Sequence, residues 1–503
     1  MVRSSLLPAT AALLLAACAA ETSPRSPQLQ ARGTELYARH CAVCHGDDGN
    51  AETPITNLLL PRPNAFRQGL FKLVSTDNGM PTNEDLVATL RRGMPGSTMM
   101  SFGWLPAADL EALAEEVRRL TVQGRTETIH RTGTITGQEL SMDAARATAE
   151  RQLAPGATVA TAEFAPRTAE TLAAGEALYR QHCASCHGMD GRGLPQASGW
   201  PTDGTWLWPR DFTSGYLRGD TSQRALSFRI RAGMPGAHMP PTVISAVETS
   251  ALVGFVKSLI PDAAGDRHAQ WRRTLRAARL PQLPTSDEDA VLQTIEAVRL
   301  PLAPLWWRAE APHEAWLRVA RDEQQLLLQL EWNDTTRDDR LLPGRRYGDG
   351  VAVQFTTDVE APLFAMGSAH QPVNTWRWQA AHPRETAGYT DLLSAGLHQG
   401  LGPQLDAPPP VRPARSSDSL QFRGTSGAAA AADQGLPLTA TAQWRDGRWR
   451  ATFRRALAPR SDAEVDLRQR PLLVAIAVWD GSIDQHAASK AITNWHALEL
   501  APE

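Results

Sequence analysis

The sequence predicts a multidomain chain: two small all-α units followed by an antiparallel β-sandwich. Three observations predict it. First, GTELYARHCAVCHGDDG (33–49) returns as GEALYRQHCASCHGMDG (175–191), and RRGMPGSTMMSF (91–102) returns as RAGMPGAHMPPT (231–242). Second, each copy closes on an apolar pattern at helical spacing, Leu110, Leu113, Ala114, Val117 and Leu120 in one, Leu252, Phe255, Val256 and Leu259 in the other. Third, after about residue 265 the helical period gives way to short strands separated by turn clusters.

The chain starts MVRSSLLPATAALLLAAC, with a basic residue and then an apolar run that is short for a transmembrane helix. Leu15-Ala16-Ala17-Cys18 resembles the lipobox of bacterial lipoproteins, in which the cysteine is acylated and becomes the new N-terminus. Residues 1–18 are therefore expected to be a lipoprotein signal and 19–27 a tether, with the chain anchored on the periplasmic side. Ala19 after the cysteine points to the outer membrane. An ordinary cleavage site with a chance cysteine is the alternative. The formal net charge of −3 gives no support for a nucleic-acid partner, which needs a basic face. Basic residues are nearly all Arg; Lys occurs only at 72, 257 and 490.

Besides Cys18, the cysteines are Cys41, Cys44, Cys183 and Cys186, which form two CxxC pairs, each followed by a histidine, His45 and His187. Two thiols at this spacing add to the vinyl groups of a haem, and the adjacent histidine is held under the iron as its proximal ligand. A zinc half-site or a redox dithiol is the alternative; zinc would need further Cys or His at ligand spacing in each unit, and the export signal favours haem attachment outside the cytoplasm. Both units resemble class I cytochromes c, which implies a methionine as the sixth ligand. Two aligned pairs offer themselves, Met94/Met234 and Met99/Met239. The resemblance selects Met99 and Met239, with Met100 as a competitor in the first unit. It also suggests that Pro63 and Pro209 pack on the haems, although simple turn prolines fit as well. His40 and His182 sit too close in sequence to the proximal ligands to reach the opposite face, and are read as helix residues. The units are expected at 28–122 and 169–262, joined by a linker (123–168) without a strong period.

In the last part, WLRVARDEQQLLLQLEW (316–332) reads as strand, turn and strand, VAVQF (351–355) as a strand, and LLVAIAVW (472–479) as a buried strand. TATAQWRDGRWRATF (439–453) carries Asp446-Gly447 between alternating runs, the signature of a hairpin. Leu401 to Gly435 reads as a long loop. EWNDTT (331–336), DGVAVQF (349–355), MGSAHQPVNTWRW (366–378) and AVWDGSIDQHAASKAITNW (477–495) occur in that order. Together they resemble the haem-binding domain of the γ subunits of ethylbenzene dehydrogenase and related molybdenum enzymes, over 268–503. The resemblance implies a non-covalent haem b held by Met366 and Lys490. Composition agrees: Met366 is the only Met after residue 239 and Lys490 the only Lys after 257. Arginine cannot take the place of a ligating lysine, because it does not deprotonate. The alternative is a core Met and a surface Lys. Trp376, Trp378, Trp479 and Trp495 lie near these motifs and suit either the haem pocket or the sandwich core.

The expected function is electron transfer rather than catalysis, through two covalent haems c and one haem b, each with two axial protein ligands. The resemblance implies, as partners, the iron–sulfur and molybdopterin subunits of a dimethyl sulfoxide reductase family complex, with a periplasmic or membrane carrier at the other end. Two rivals are a dihaem peroxidase-like enzyme with a vacant haem position and a dihaem cytochrome carrying a carbohydrate-binding β-sandwich.

Overall fold

The protein was analysed as a computed structural model that describes residues 26–161, 163–194, 208–262, 269–339, 347–361, 373–380, 417–422, 428–429, 438–459, 464–486 and 489–500. Ten helices are described: α1 (Pro27–His40), α2 (Ala42–His45), α3 (Asn83–Arg92), α4 (Ala107–Thr136), α5 (Met142–Gln152), α6 (Ala169–His182), α7 (Ala184–His187), α8 (Gln223–Arg231), α9 (Ala246–Leu259) and α10 (Ala290–Thr294). The strands are β1 (Thr274–Arg279), β2 (Val298–Pro301), β3 (Ala303–Pro304), β4 (Glu314–Arg321), β5 (Gln325–Asn333), β6 (Gly350–Thr356), β7 (Val373–Gln379), β8 (Ser417–Phe422), β9 (Ala428–Ala429), β10 (Thr439–Arg445), β11 (Arg448–Ala456), β12 (Leu473–Trp479), β13 (Ala491–Ile492) and β14 (His496–Leu500).

The two helical units are built alike. Ser26 caps α1 by accepting from the Leu29 amide, and Thr168 caps α6 by accepting from the Thr171 amide. α1 then crosses α4, and α6 crosses α9. A Cβ on Gly33 would lie 2.3 Å from the Ala112 carbonyl oxygen, and one on Gly175 2.2 Å from that of Ala251. The glycine that opens each repeat therefore allows the closest approach of the two helices. Leu36 and Tyr37 bury against Leu110, Leu113 and Val117 in the first unit. Tyr179 buries against Leu252, Val253 and Val256 in the second. His40 and His182 end α1 and α6, as helix residues.

The segment between the units is largely helical. α4 continues to Thr136, and α5, capped by Ser141, packs back on it through the fully buried Ala145 and Ala149. Small residues spaced four apart escaped the sequence reading because alanine gives a weak apolar signal.

The third region is rich in sheet. The hairpins read from the sequence form: β4 pairs β5, and β10 pairs β11 around Asp446 and Gly447, both at positive φ. Among the described residues the strands run β10-β11-β5-β4-β1-β14-β12-β6-β7-β8-β9 in one connected path. The expectation of a purely antiparallel arrangement is corrected here: the sheet is open and mixed. β1 pairs in parallel with both β14 and β4, at different residues along its length. Those partners are distant in sequence, so no hairpin imposes an antiparallel turn. β8 and β9 also interrupt the segment read as one long loop. The main core holds Leu328, Leu330, Trp332, Val353, Phe355, Trp376, Phe453 and Ile476. Among the described residues no helix is long and apolar enough to cross a bilayer.

Candidate haem sites

In the first unit α2 is a single turn that carries Cys44 and His45, with Cys41 at its N-cap. The Tyr37 hydroxyl donates to the Gly46 carbonyl oxygen at 2.8 Å and fixes the end of that turn against α1. His45 stacks on Phe66 at 4.3 Å between centroids, and its Nδ1 is 2.9 Å from the Asn64 carbonyl oxygen. Donation from Nδ1 leaves Nε2 as the ligating atom. Burial pushes His45 down to about 4, so the imidazole is neutral, the form that binds iron. The second unit repeats each contact. Tyr179 donates to the Gly188 carbonyl at 2.8 Å, His187 stacks on Phe212 at 4.5 Å, and His187 Nδ1 is 3.3 Å from the Arg210 carbonyl oxygen. Cys41, Cys44, Cys183 and Cys186 are all free thiols.

Each histidine opens on a cleft. The first is lined by Cys41, Cys44, His45, Pro63 and all three candidate methionines, Met94, Met99 and Met100. The second is lined by Cys183, Cys186, His187, Pro209, Met234 and Met239. In both loops the earlier methionine amide donates to the carbonyl of the later one, Met94 to Met99 at 2.9 Å and Met234 to Met239 at 2.8 Å. Met94, Met100 and Met234 are buried core residues, whereas Met99 and Met239 are only partly covered.

The second cleft also holds features the sequence reading missed. Arg210 and Arg218 line it and are buried, yet Arg210 Nε and Nη1 and Arg218 Nε and Nη2 have no hydrogen-bond partner among the described residues. Buried guanidinium nitrogens without an acceptor are costly unless an anion reaches them. The two carboxylates of a haem supply that charge, so thiols, neutral histidine, thioether and cations together fit the group. In the first cleft Lys72 is buried and bonds Asn64, and Arg272 lies 3.8 Å over Trp104.

Lys490 sits one residue before β13 and is buried. Burial lowers its pKa to about 8, and its Nζ lies 5.3 Å from the Trp479 ring centroid. Supplying a neutral amine at pH 7 then costs about 1–2 kcal/mol instead of the 4–5 kcal/mol expected for an exposed lysine. Met366 and Cys18 lie outside the described residues. The four tryptophans divide. Trp376 and Trp378 belong to the main core, Trp479 faces Lys490, and Trp495 lines the first haem cleft, together with Asn494 and Arg272. That cover comes from the far end of the chain and has no local sequence signal.

Comparisons with known proteins agree with this geometry. Residues 316–491 match the family described as Ethylbenzene dehydrogenase, 28–115 match Cytochrome C oxidase, cbb3-type, subunit III, and 172–259 match Cytochrome c. A Haloferax mediterranei protein, "Putative respiratory nitrate reductase heme subunit ORF7", is 30% identical over 231 residues, which are 44% of this chain and 69% of that protein. The chain belongs to this ethylbenzene dehydrogenase-type haem subunit family. It carries two cytochrome c domains ahead of the ethylbenzene dehydrogenase domain. A haem subunit of this family is a multihaem electron-transfer protein, not the catalytic subunit, and its domains imply both covalent haem c and haem b. Among solved structures, the Kuenenia stuttgartiensis reducing HAO-like protein complex Kustc0457/Kustc0458 aligns at 26% identity over 46% of this chain and 96% of that one, with a TM-score of 0.38. A family 9 carbohydrate binding module from Caldicellulosiruptor kristjanssonii aligns at 10% identity over 46% and 98%, with a TM-score of 0.25. Superpositions at this level carry no inference about ligand or activity.

Proposed function

We propose that this haem subunit is a three-haem relay in which the first cytochrome unit packs on both the C-terminal domain and the second cytochrome unit. When bound, the three irons would each supply one-electron ferrous–ferric exchange. His45 with Met99 and His187 with Met239 would hold the two covalent haems, and Lys490 with Met366 the haem b. The part of Met366 rests on the sequence resemblance alone.

One observation carries the coupling of the first haem to the C-terminal domain. The Lys490 carbonyl accepts from the Leu305 amide at 2.8 Å, and the Leu305 carbonyl accepts from the Leu60 amide at 2.9 Å. Leu60 leads through Pro61–Pro63 to Asn64, whose carbonyl orients His45. Around this chain of bonds, Cys44, Leu59 and Met100 share one apolar cluster with Ala303, Leu305, Ala477 and Ile492. Further contacts join the two cytochrome units, and the second unit also touches the C-terminal domain, with Arg210 5.1 Å over Trp307 and Tyr216 4.8 Å from His313. Arg210 Nη2 donates to the Gly96 carbonyl at 2.7 Å, inside the Met94–Met99 loop, and the Gly236 amide donates to the Phe71 carbonyl at 2.8 Å. Contacts of this kind hold donor and acceptor at fixed separation and exclude water from between them.

Beyond the chain, we propose that the C-terminal domain, a sheet folded back on itself as a sandwich, docks on the iron–sulfur subunit of a dimethyl sulfoxide reductase family molybdenum enzyme. The second cytochrome unit would meet a soluble or membrane carrier, and Cys18 would carry the lipid anchor on the periplasmic side of the outer membrane.

A pyridine haemochrome count on the haem-matured full chain, before and after acid–acetone extraction, tests the relay. The expected result is two covalent haems and one extractable haem b, with Lys490→Ala losing only the extractable one. Two covalent haems and nothing extractable from the folded chain would remove haem b and the relay with it. The pH dependence follows from Lys490. Only the deprotonated amine ligates, so haem b affinity falls about tenfold per unit as pH drops below about 8. In the haem-free domain the unfolded chain binds the extra proton between about 8 and the ordinary lysine value, so its stability rises with pH across that window.

A further inference from the structure

Three buried carboxylates converge outside the two cytochrome clefts. Asp334 follows β5, Asp349 precedes β6 and Asp480 follows β12, and each offers an oxygen within 4.8 Å of the others. Asp349 is fully buried, Asp334 is 4% exposed and Asp480 6%. Surrounding donors fix their orientation. Asp349 Oδ1 accepts from the Gly481 amide at 2.8 Å, and its Oδ2 from the Asp338 amide at 2.8 Å and Trp449 Nε1 at 2.9 Å. Asp480 Oδ1 accepts from the Ser482 amide at 2.8 Å, and Asp334 Oδ1 from the Thr336 amide at 3.0 Å and hydroxyl at 3.1 Å. Asp334 Oδ2 is different. It is buried and has no hydrogen-bond partner among the described residues.

We infer that Asp334, Asp349 and Asp480 form a binding site for a hard divalent cation of the calcium class. A buried carboxylate oxygen without a donor loses its hydration and gains nothing, unless a cation takes the place of the donor. The donor set is all oxygen, which selects calcium or magnesium over zinc or copper. Calcium binds oxygens at about 2.3–2.6 Å, so two of its ligands can stand up to about 5 Å apart; magnesium, at about 2.0–2.1 Å, permits only about 4 Å. A separation of no more than 4.8 Å falls within the span that calcium permits. Burial and the other two carboxylates already push Asp334 up to about 8, which records how unfavourable the cluster is when it carries full charge and no cation.

The site would tie together three positions far apart in sequence. Asp480 is also the root of the segment that leads to Lys490, so the cation would clamp that segment to the ends of β5 and β6. Nothing in this reading depends on any haem being bound.

The test uses the full, haem-matured chain stripped with a chelator and dialysed against radiolabelled calcium. The expected result is one equivalent per chain with a Kd below about 1 mM, lost in Asp334→Asn and in Asp480→Asn. Hydrogen exchange on the unmutated chain gives a second readout that survives a misfolded variant. Calcium should slow exchange at 334–338, 349–351 and 480–486 and leave the two cytochrome units unchanged. No stoichiometric calcium, binding that both variants retain, or protection elsewhere in the chain would each overturn the site and leave shared protons as the neutralising charge.

Discussion

The two cytochrome units share their attachment chemistry and differ in what surrounds it. The tyrosine-to-glycine bond has the same 2.8 Å length in both, and both histidines stack on a phenylalanine. In the first unit Cys41 and Cys44 are buried, and Trp495, Asn494 and Arg272 from the third domain line the cleft. In the second Cys186 is exposed, and the cleft presents Arg210 and Arg218 instead. Duplication therefore copies what holds a haem, while the packing of the third domain decides how wet and how charged each site is. Since burial, charge and axial ligand set a haem potential, two near-identical motifs can serve as different steps of one relay.

The largest effects should come from the axial methionines. Met99→Ala and Met239→Ala should each cost one haem its low-spin methionine signature and lower the potential of that haem alone, as spectroelectrochemistry would record. Met100→Ala should leave both signatures intact and act on stability, by about 2–5 kcal/mol, because Met100 is a buried side chain in the cluster between the domains. If Met100→Ala removes the signature and Met99→Ala does not, the ligand of the first unit is reassigned and the alignment of the two loops is broken.

Next comes the cover. Trp495 is 1% exposed, so Trp495→Ala should cost about 3–5 kcal/mol and admit water to the first haem. Water favours the ferric iron, and the potential of the first haem should fall while that of the second stays. Equal shifts in both would mean that the third domain does not distinguish the two sites.

How much of this was legible in the sequence follows the same division. Local features could be read: the CxxCH turns, the loop methionines and the Asp446-Gly447 hairpin depend on residues a few positions apart. The glycines at 33 and 175 were visible as a repeat, although the close helix crossing that requires them was not. Features made by distant segments could not be read. Nothing around Trp495 signals that it lines the same cleft as Cys41 and His45, and nothing around Thr274–Arg279 signals parallel pairing to β14 and β4. Arg210 was hidden in another way, since one arginine among many carries no mark of being buried with two nitrogens that lack a partner among the described residues.

Arg218 sharpens the contrast by charge alone. Its guanidinium lines only the second cleft. By Coulomb's law a unit cation at about 10 Å and an effective dielectric of about 20 would favour a ferrous over a ferric iron by roughly 1–2 kcal/mol, or about 40–80 mV. Arg218→Gln should lower the second potential by that order and leave the first in place, as a two-haem redox titration would resolve. A shift in the first haem instead would place the charge nearer the junction between the units than the cleft lining indicates.

The smallest expected effect tests the shared half of the comparison. Tyr37 and Tyr179 are both buried, and each donates its hydroxyl to the carbonyl just after the proximal histidine. Tyr37→Phe and Tyr179→Phe keep the ring in the core and remove only that bond, leaving each carbonyl with its longer amide donor, Gly49 at 3.2 Å and Gly191 at 3.4 Å, at a cost of about 0.5–1.5 kcal/mol. The two losses should agree within about 0.5 kcal/mol, and the double variant should equal their sum, because the two bonds lie in separate units with no shared partner. Denaturant unfolding of the haem-loaded chain measures both. A clearly larger loss in the first unit would mean that the third domain's cover also supports the attachment turn, so that the copied contacts would no longer be independent of their surroundings.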